Sequence, residues 1–176
     1  MPGSLDRRML LARSSAAGFF MIAGQWLWLT PREAEARAFE PQILSPEQSK
    51  ALSTLGDALV PGAATAGLAA YIDLQLQAGD QSLLIGKYLG VDTAAQVSFY
   101  RAAADNVIAM TDENTSMQTL IAGMAADSLL DWEGPPASYM LFVLRADALD
   151  VTYGTPEGFE KLGIPYMAHI MPEQPW

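Results

Sequence analysis

His169 is the single histidine among 176 residues, and the chain contains no cysteine. An imidazole can serve as a general base. The surrounding "IPYMAHIMP", however, offers no serine or cysteine nucleophile, and its apolar flank points to packing or an interface. The absence of cysteine removes thiol nucleophiles, thiolate zinc sites and cysteine-ligated iron–sulfur clusters. What remains are carboxylates in pairs, Asp127 with Asp131 and Asp147 with Asp150. Their i,i+4 and i,i+3 spacings would project each pair from one helical face. Two carboxyls across a substrate suit glycoside hydrolysis, and several oxygens in a tight loop suit calcium. "DENTS" lacks the spaced acids and central glycine of a calcium loop. "YGTPEGFEKLG" (153–163) has neither GxGxxG after a strand nor Gly-Lys-Ser/Thr, so it is not a phosphate loop. The expectation is therefore no catalytic, cofactor-binding or metal-binding residue in this chain, with most of the acids as a solvated face.

The elements that would position these groups read as helices. In "LSPEQSKALSTLGDALVPG", Ser45 is placed to cap, Pro46 takes the first helical position and Gln48 stands three after the cap. Leu52, Leu55 and Leu59 share a face, and Pro61-Gly62 ends the run. A second helix is expected over 65–79, with Leu68, Ile72 and Leu76 in a stripe beside Tyr71, and then a short helix or loop. Residues 92–114 predict a longer helix capped by Asp92 or Thr93, burying Val97, Tyr100, Ala104, Val107 and Ile108. "TSMQTLIAGMAADSLLDWEG" predicts another through Met117, Leu120, Ile121, Met124 and Leu129. After Pro135-Pro136, the apolar run 139–144 has strand composition, but it continues through Arg145, Ala146 and Leu149 without alternation, which favours helix. Thr155 caps a last short helix that starts at Pro156, packs Phe159 and Leu162, and stops at Gly163. No stretch alternates at period two for long, and Asn-Gly hairpin signals are missing. The fold class expected is mainly α: one small helical domain over 39–176 with a proline-rich extended C-terminal arm, preceded by an export signal over 1–38.

Charge divides the chain at the same place. Residues 1–38 hold five of the ten Lys/Arg against three of the twenty Asp/Glu, a net of +2, so the remainder carries five bases, seventeen acids and a net of −12. A body this acidic is repelled by phosphate backbones, which makes nucleic acid a poor partner. At the front, the adjacent Arg7 and Arg8 with Arg13 form a cationic start opposed only by Asp6. Residues 16–29, "AAGFFMIAGQWLWL", form an apolar stretch of signal-peptide length, and "AEARA" (34–38) offers small residues for cleavage after Ala36 or Ala38. This is the pattern of a twin-arginine export signal. The alternative is a buried or membrane-lying helix that stays attached, with Trp26 and Trp28 as interfacial anchors.

The arm "IPYMAHIMPEQPW" contains Pro165, Pro172 and Pro175 and cannot be a regular helix. It carries Ile164, Tyr166, Met167, Ile170, Met171 and Trp176, far more apolar than a free tail. Its own domain or another chain must cover it.

Three stretches together resemble the small third subunit of gluconate 2-dehydrogenase-type sugar dehydrogenases. They are the leader "LDRRMLLARSS", the opening "LSPEQSKALSTLGDALVPGAATAGLAAYIDLQL" with its Ile-Asp centre, and the closing "DVTYGTPEGFEKLGIPYMAHI". The chain differs from the gluconate enzymes at "ASYMLFVLRADALD", where a threonine- and glutamate-bearing segment is expected. The resemblance implies a non-catalytic subunit that binds no cofactor itself. It implies a large FAD-binding partner similar to glucose–methanol–choline oxidoreductases, a cytochrome c subunit as a further electron acceptor, and the twin-arginine translocase as the export partner. The flavin-loaded partner would then travel to the periplasm on this chain's signal. The partner interface expected on this reading comprises Tyr153, Phe159, Ile164, Pro165, Tyr166, Met167, His169, Ile170 and Trp176. A stand-alone periplasmic enzyme using carboxylates or His169, and an uncleaved membrane-anchored helical scaffold, are the alternatives.

Overall fold

The computed structural model describes residues 17–111 and 115–164. Its element order is β1 (Gly18–Ile22), β2 (Gln25–Leu29), α1 (Pro31–Ala36), α2 (Pro46–Leu59), α3 (Ala63–Ala66), α4 (Leu68–Gln77), α5 (Ile85–Tyr88), α6 (Gln96–Met110), α7 (Met117–Ala125), α8 (Ala137–Tyr153) and α9 (Pro156–Lys161). Short 3-10 turns precede α5 and α6. The domain is mainly helical, as the periodicities indicate.

The α2 start follows from its residue types. The Ser45 hydroxyl accepts from the Gln48 N–H at 3.1 Å, and the Gln48 side chain accepts from the Ser45 N–H at 3.0 Å, a reciprocal capping box. Leu52 and Leu55 are fully buried, and α2 packs against α4, α6 and α8. The segment 139–144 is helical, inside α8, and its Met140, Val143 and Leu144 are buried. Around these helices one continuous core forms, with Leu68, Ile72, Tyr100, Val107, Leu120 and Met124 at its centre.

Four expectations differ from the structure. The helix expected over 65–79 is broken at Gly67, whose φ of +90° is open to glycine and costly for other residues. A Cβ there would lie 2.3 Å from the carbonyl carbon of Pro31, so the break also lets α1 approach. Ile108 is 43% exposed, and Phe99 and Ala103 fill the buried side of α6 instead. The helix through Leu129 stops at Ala125, and Asp127 then takes a positive φ of 48°. Leu162, expected to pack, is 51% exposed.

The fifth difference is the largest. The described part of the apolar stretch 16–29 is an antiparallel hairpin, with Gly18 opposite Leu29 and Ile22 opposite Gln25. Ala23 and Gly24 both have positive φ, the geometry of a tight two-residue turn whose twist suits a hairpin. Phe20 and Leu29 are buried with Ala34 of α1 and Ala70 of α4, forming a second, smaller core. Ala34, Ala36 and Ala38, expected as the cleavage region, lie in α1 and the turn after it, and Ala34 is fully buried.

Candidate functional site

The polar chemistry inside the fold gathers where α4, α6 and α8 meet. Asp147 sits on the buried face of α8 because the apolar period there admits it between Leu144 and Ala148. Its Oδ2 accepts from the Tyr100 hydroxyl at 2.5 Å, and its Oδ1 accepts from the Ile85 N–H at 3.0 Å at the start of α5. Burial pushes the Asp147 carboxyl up to about 7, against the opposing pull of those two donors, with the Asp150 charge adding to the rise. Desolvation, followed by the Asp147 charge, drives the Tyr100 phenol well above its usual range. Tyr71 is also raised, by burial first and by Asp150 and Asp147 next, and its hydroxyl donates to Asp150 Oδ2 at 3.3 Å.

The only expected carboxylate pair that shares a helical face is thus Asp147 with Asp150, and the two have opposite settings. Asp147 is buried and Asp150 is exposed. Asp150 and Tyr71 open onto a cavity of about 80 Å³ lined also by Thr30, Arg32, Thr155 and Glu157. A space of that size holds a few waters rather than a sugar. Asp127 and Asp131 are not a facing pair at all. Asp127 lies past the end of α7, and its carboxylate accepts from the Ser138 hydroxyl at 2.5 Å and the Ser138 N–H at 2.8 Å near the start of α8. Those bonds hold it below the ordinary carboxylate range.

Two further acids are structural and lie outside the solvated face expected of most of them. Asp73 is buried, and its carboxylate accepts from three successive backbone N–H groups, those of Gln42, Ile43 and Leu44, each at 2.9 Å. The Gln77 side chain donates to it as well. This carboxylate at the "Ile-Asp" centre of α4 therefore holds the irregular lead-in to α2 against the domain. Asp57 accepts from the N–H groups of Gly62 and Ala64, both at 3.0 Å, and shapes the turn between α2 and α3. The visible signal for Asp73 was an acid inside an apolar helical stripe, where an unpaired charge would be costly. Among the described residues, no cluster of three or more His, Asp or Glu could hold a metal ion, and no helix is long and apolar enough to cross a membrane.

Of the expected partner interface, Tyr153, Phe159 and Ile164 are described. Tyr153 ends α8 and is partly buried against the core. Gly158 lets α9 lie directly on that end, because a Cβ there would meet the Thr152 carbonyl oxygen at 2.5 Å. The Ile164 N–H donates to the Phe159 carbonyl at 3.1 Å, which anchors the root of the arm, while the Ile164 side chain is about half exposed at 49%. Pro165, Tyr166, Met167, His169, Ile170 and Trp176 lie outside the described residues, as do Arg7 and Arg8. Exposed Leu162 adjoins this root and was not among the expected interface residues.

Compared with protein-family profiles, with curated proteins and with solved structures, the chain has no significant match.

Proposed function

We propose that this chain is a non-catalytic small subunit of a periplasmic FAD-dependent sugar or polyol dehydrogenase, stabilising the flavoprotein and escorting it through twin-arginine export. The reading rests on the sequence resemblance. The observation that supports it best is where the polar and apolar groups lie. Asp73 and Asp147, the buried acids, are occupied in internal hydrogen bonds, whereas Leu162 and Ile164 are left exposed at the root of an apolar arm. Such a distribution suits a protein that offers surface and leaves the redox chemistry to a companion. A cytochrome c subunit would receive the electrons from that companion.

The stand-alone enzyme remains as a second reading because of Asp147, whose carboxyl titrates near neutrality beside a tyrosine. Purification of the full chain from its native host separates the two. The subunit reading expects a large co-purifying polypeptide with flavin absorbance bands. Turnover by the isolated chain, with no such companion, would replace it with the enzyme reading. The export part has its own test: Arg7→Lys with Arg8→Lys should retain both this chain and its companion in the cytoplasm. Undiminished export of the large polypeptide would refute the escort role.

A further inference from the structure

The hairpin has two apolar faces: one packs on the second core, and among the described residues the other is left partly exposed. Side chains alternate along a strand, so Phe20, Ile22, Leu27 and Leu29 point to the second core. Phe19, Met21, Trp26 and Trp28 then share the outer face, where Phe19 stands opposite Trp28 and Met21 opposite Trp26. The Phe19 and Trp28 rings meet edge to face, with centroids 5.0 Å apart. Phe19 is 56% exposed and Trp26 50%. The Trp132 indole donates to the Pro135 carbonyl, whereas Trp26 and Trp28 make no such bond among the described residues. Aromatic rings with an apolar body and a spare N–H concentrate at the boundary between hydrocarbon and lipid headgroups.

Charge says what this face meets. Residues 1–38 carry five bases, among them the exposed Arg32 of α1 and Arg37 just after it, against the three acids Asp6, Glu33 and Glu35, a net of +2. From residue 39 onward acids outnumber bases seventeen to five. An anionic surface repels that body and attracts this end, so the molecule is oriented with the hairpin toward it. The hairpin is also joined to the body by hydrogen bonds and a close backbone approach. Its Met21 carbonyl accepts from the Glu40 N–H at 2.8 Å, the Gly24 N–H donates to Glu40 Oε1, and Gly67 leaves room for the Pro31 backbone.

We propose that the outer face of the β1–β2 hairpin is a membrane-docking surface that lies in the headgroup region of an anionic bilayer while the acidic helical body stays in water. It is a surface attachment and not a span, since five-residue strands reach only about 17 Å. The attachment requires that residues 18–36 stay with the body, and it goes beyond the subunit reading because it needs no protein companion.

The test is flotation of the full chain with vesicles of phosphatidylethanolamine and phosphatidylglycerol, beside vesicles of phosphatidylcholine alone. Binding should favour the anionic vesicles and fall with added salt. Phe19→Ser with Trp26→Ser should lower the bound fraction about tenfold or more, because both side chains lose their burial in lipid. Unchanged circular dichroism would show that the exposed substitutions leave the fold intact. Brominated lipid should quench the wild-type tryptophan emission, a readout that needs no variant. Failure to float, absence of quenching, or equal flotation of the double variant would overturn the proposal. So would a double variant that binds vesicles normally but no longer retains a large polypeptide, since the face would then belong to a protein.

Discussion

The large core under α2, α4, α6 and α8 and the small core under the hairpin are built from the same kinds of side chain but held in different ways. The large one is tied by buried carboxylates, with Asp73 gripping the 42–44 backbone and Asp147 joining α5, α6 and α8. The small one rests on Phe20, Leu29, Ala34 and Ala70, with the Glu40 bonds at its margin. Few apolar contacts mean low local stability, so the small core should open without the large one. The body is the cooperative unit, and the hairpin is a module seated on it.

Asp73→Ala should have the largest effect. It strands three buried or partly buried N–H groups at once, and the loss should be on the order of 3–5 kcal/mol, read as a shifted urea midpoint. If the variant changes only hairpin protection, the body is not held as described. A pH series comes next. Asp147 titrates near 7 in the folded chain and near 3.8 when unfolded, so between those values the folded state binds the extra proton. Its contribution is fully present below about pH 4, declines by roughly 1 kcal/mol per pH unit as pH rises, and is gone above 7. Glu35, also raised by burial, acts in the same direction, while Asp127 and Glu47, both lowered, oppose it. Asp147→Asn should flatten the slope between pH 4 and 7. A slope unaltered by that substitution would assign the effect to the other acids.

Phe20→Ala sharpens the contrast from the other side. Removing a buried phenylalanine typically costs about 3–5 kcal/mol, but the global loss here is limited by what the small core contributes. Hydrogen exchange over 18–36 should therefore accelerate strongly while the urea midpoint moves by about 1 kcal/mol or less. A global shift as large as that for Leu52→Ala would make the two cores one unit.

The body was legible in the sequence because its helices carry one apolar stripe each and open with recognisable caps, as Ser45 and Thr155 do. The hairpin was not, for a physical reason. Alternation marks a strand when one face is wet, and here Phe19, Met21, Trp26 and Trp28 make the outer face as apolar as the inner one. The turn residues Ala23-Gly24 gave no Asn-Gly signal either, since alanine rarely accepts a positive φ. The carboxylates were misplaced for a related reason. Spacing put Asp127 and Asp131 on one face, whereas the helix stops at Ala125 and Asp127 takes a positive φ beyond it. Asp73 and Asp147 interrupt apolar helical faces, but the groups they accept from, up to thirty-one and sixty-two positions away, are brought beside them only by the fold.

The smallest effects give the finest discrimination, because the same cap occurs in both regions. At α1 the Thr30 hydroxyl accepts from the Glu33 N–H at 3.3 Å, and the Glu33 carboxylate accepts from the Thr30 N–H at 2.8 Å. At α2 Ser45 and Gln48 make the equivalent pair. Replacing either cap with alanine removes the same chemistry, about 1 kcal/mol of helix stability. Ser45→Ala should appear in the urea midpoint of the whole chain, since α2 runs through the large core. Thr30→Ala should leave that midpoint in place and speed exchange only in the hairpin and α1. Equal global shifts from the two would mean that the hairpin folds and unfolds with the body, and an attachment surface built on it would then be as permanent as the core itself.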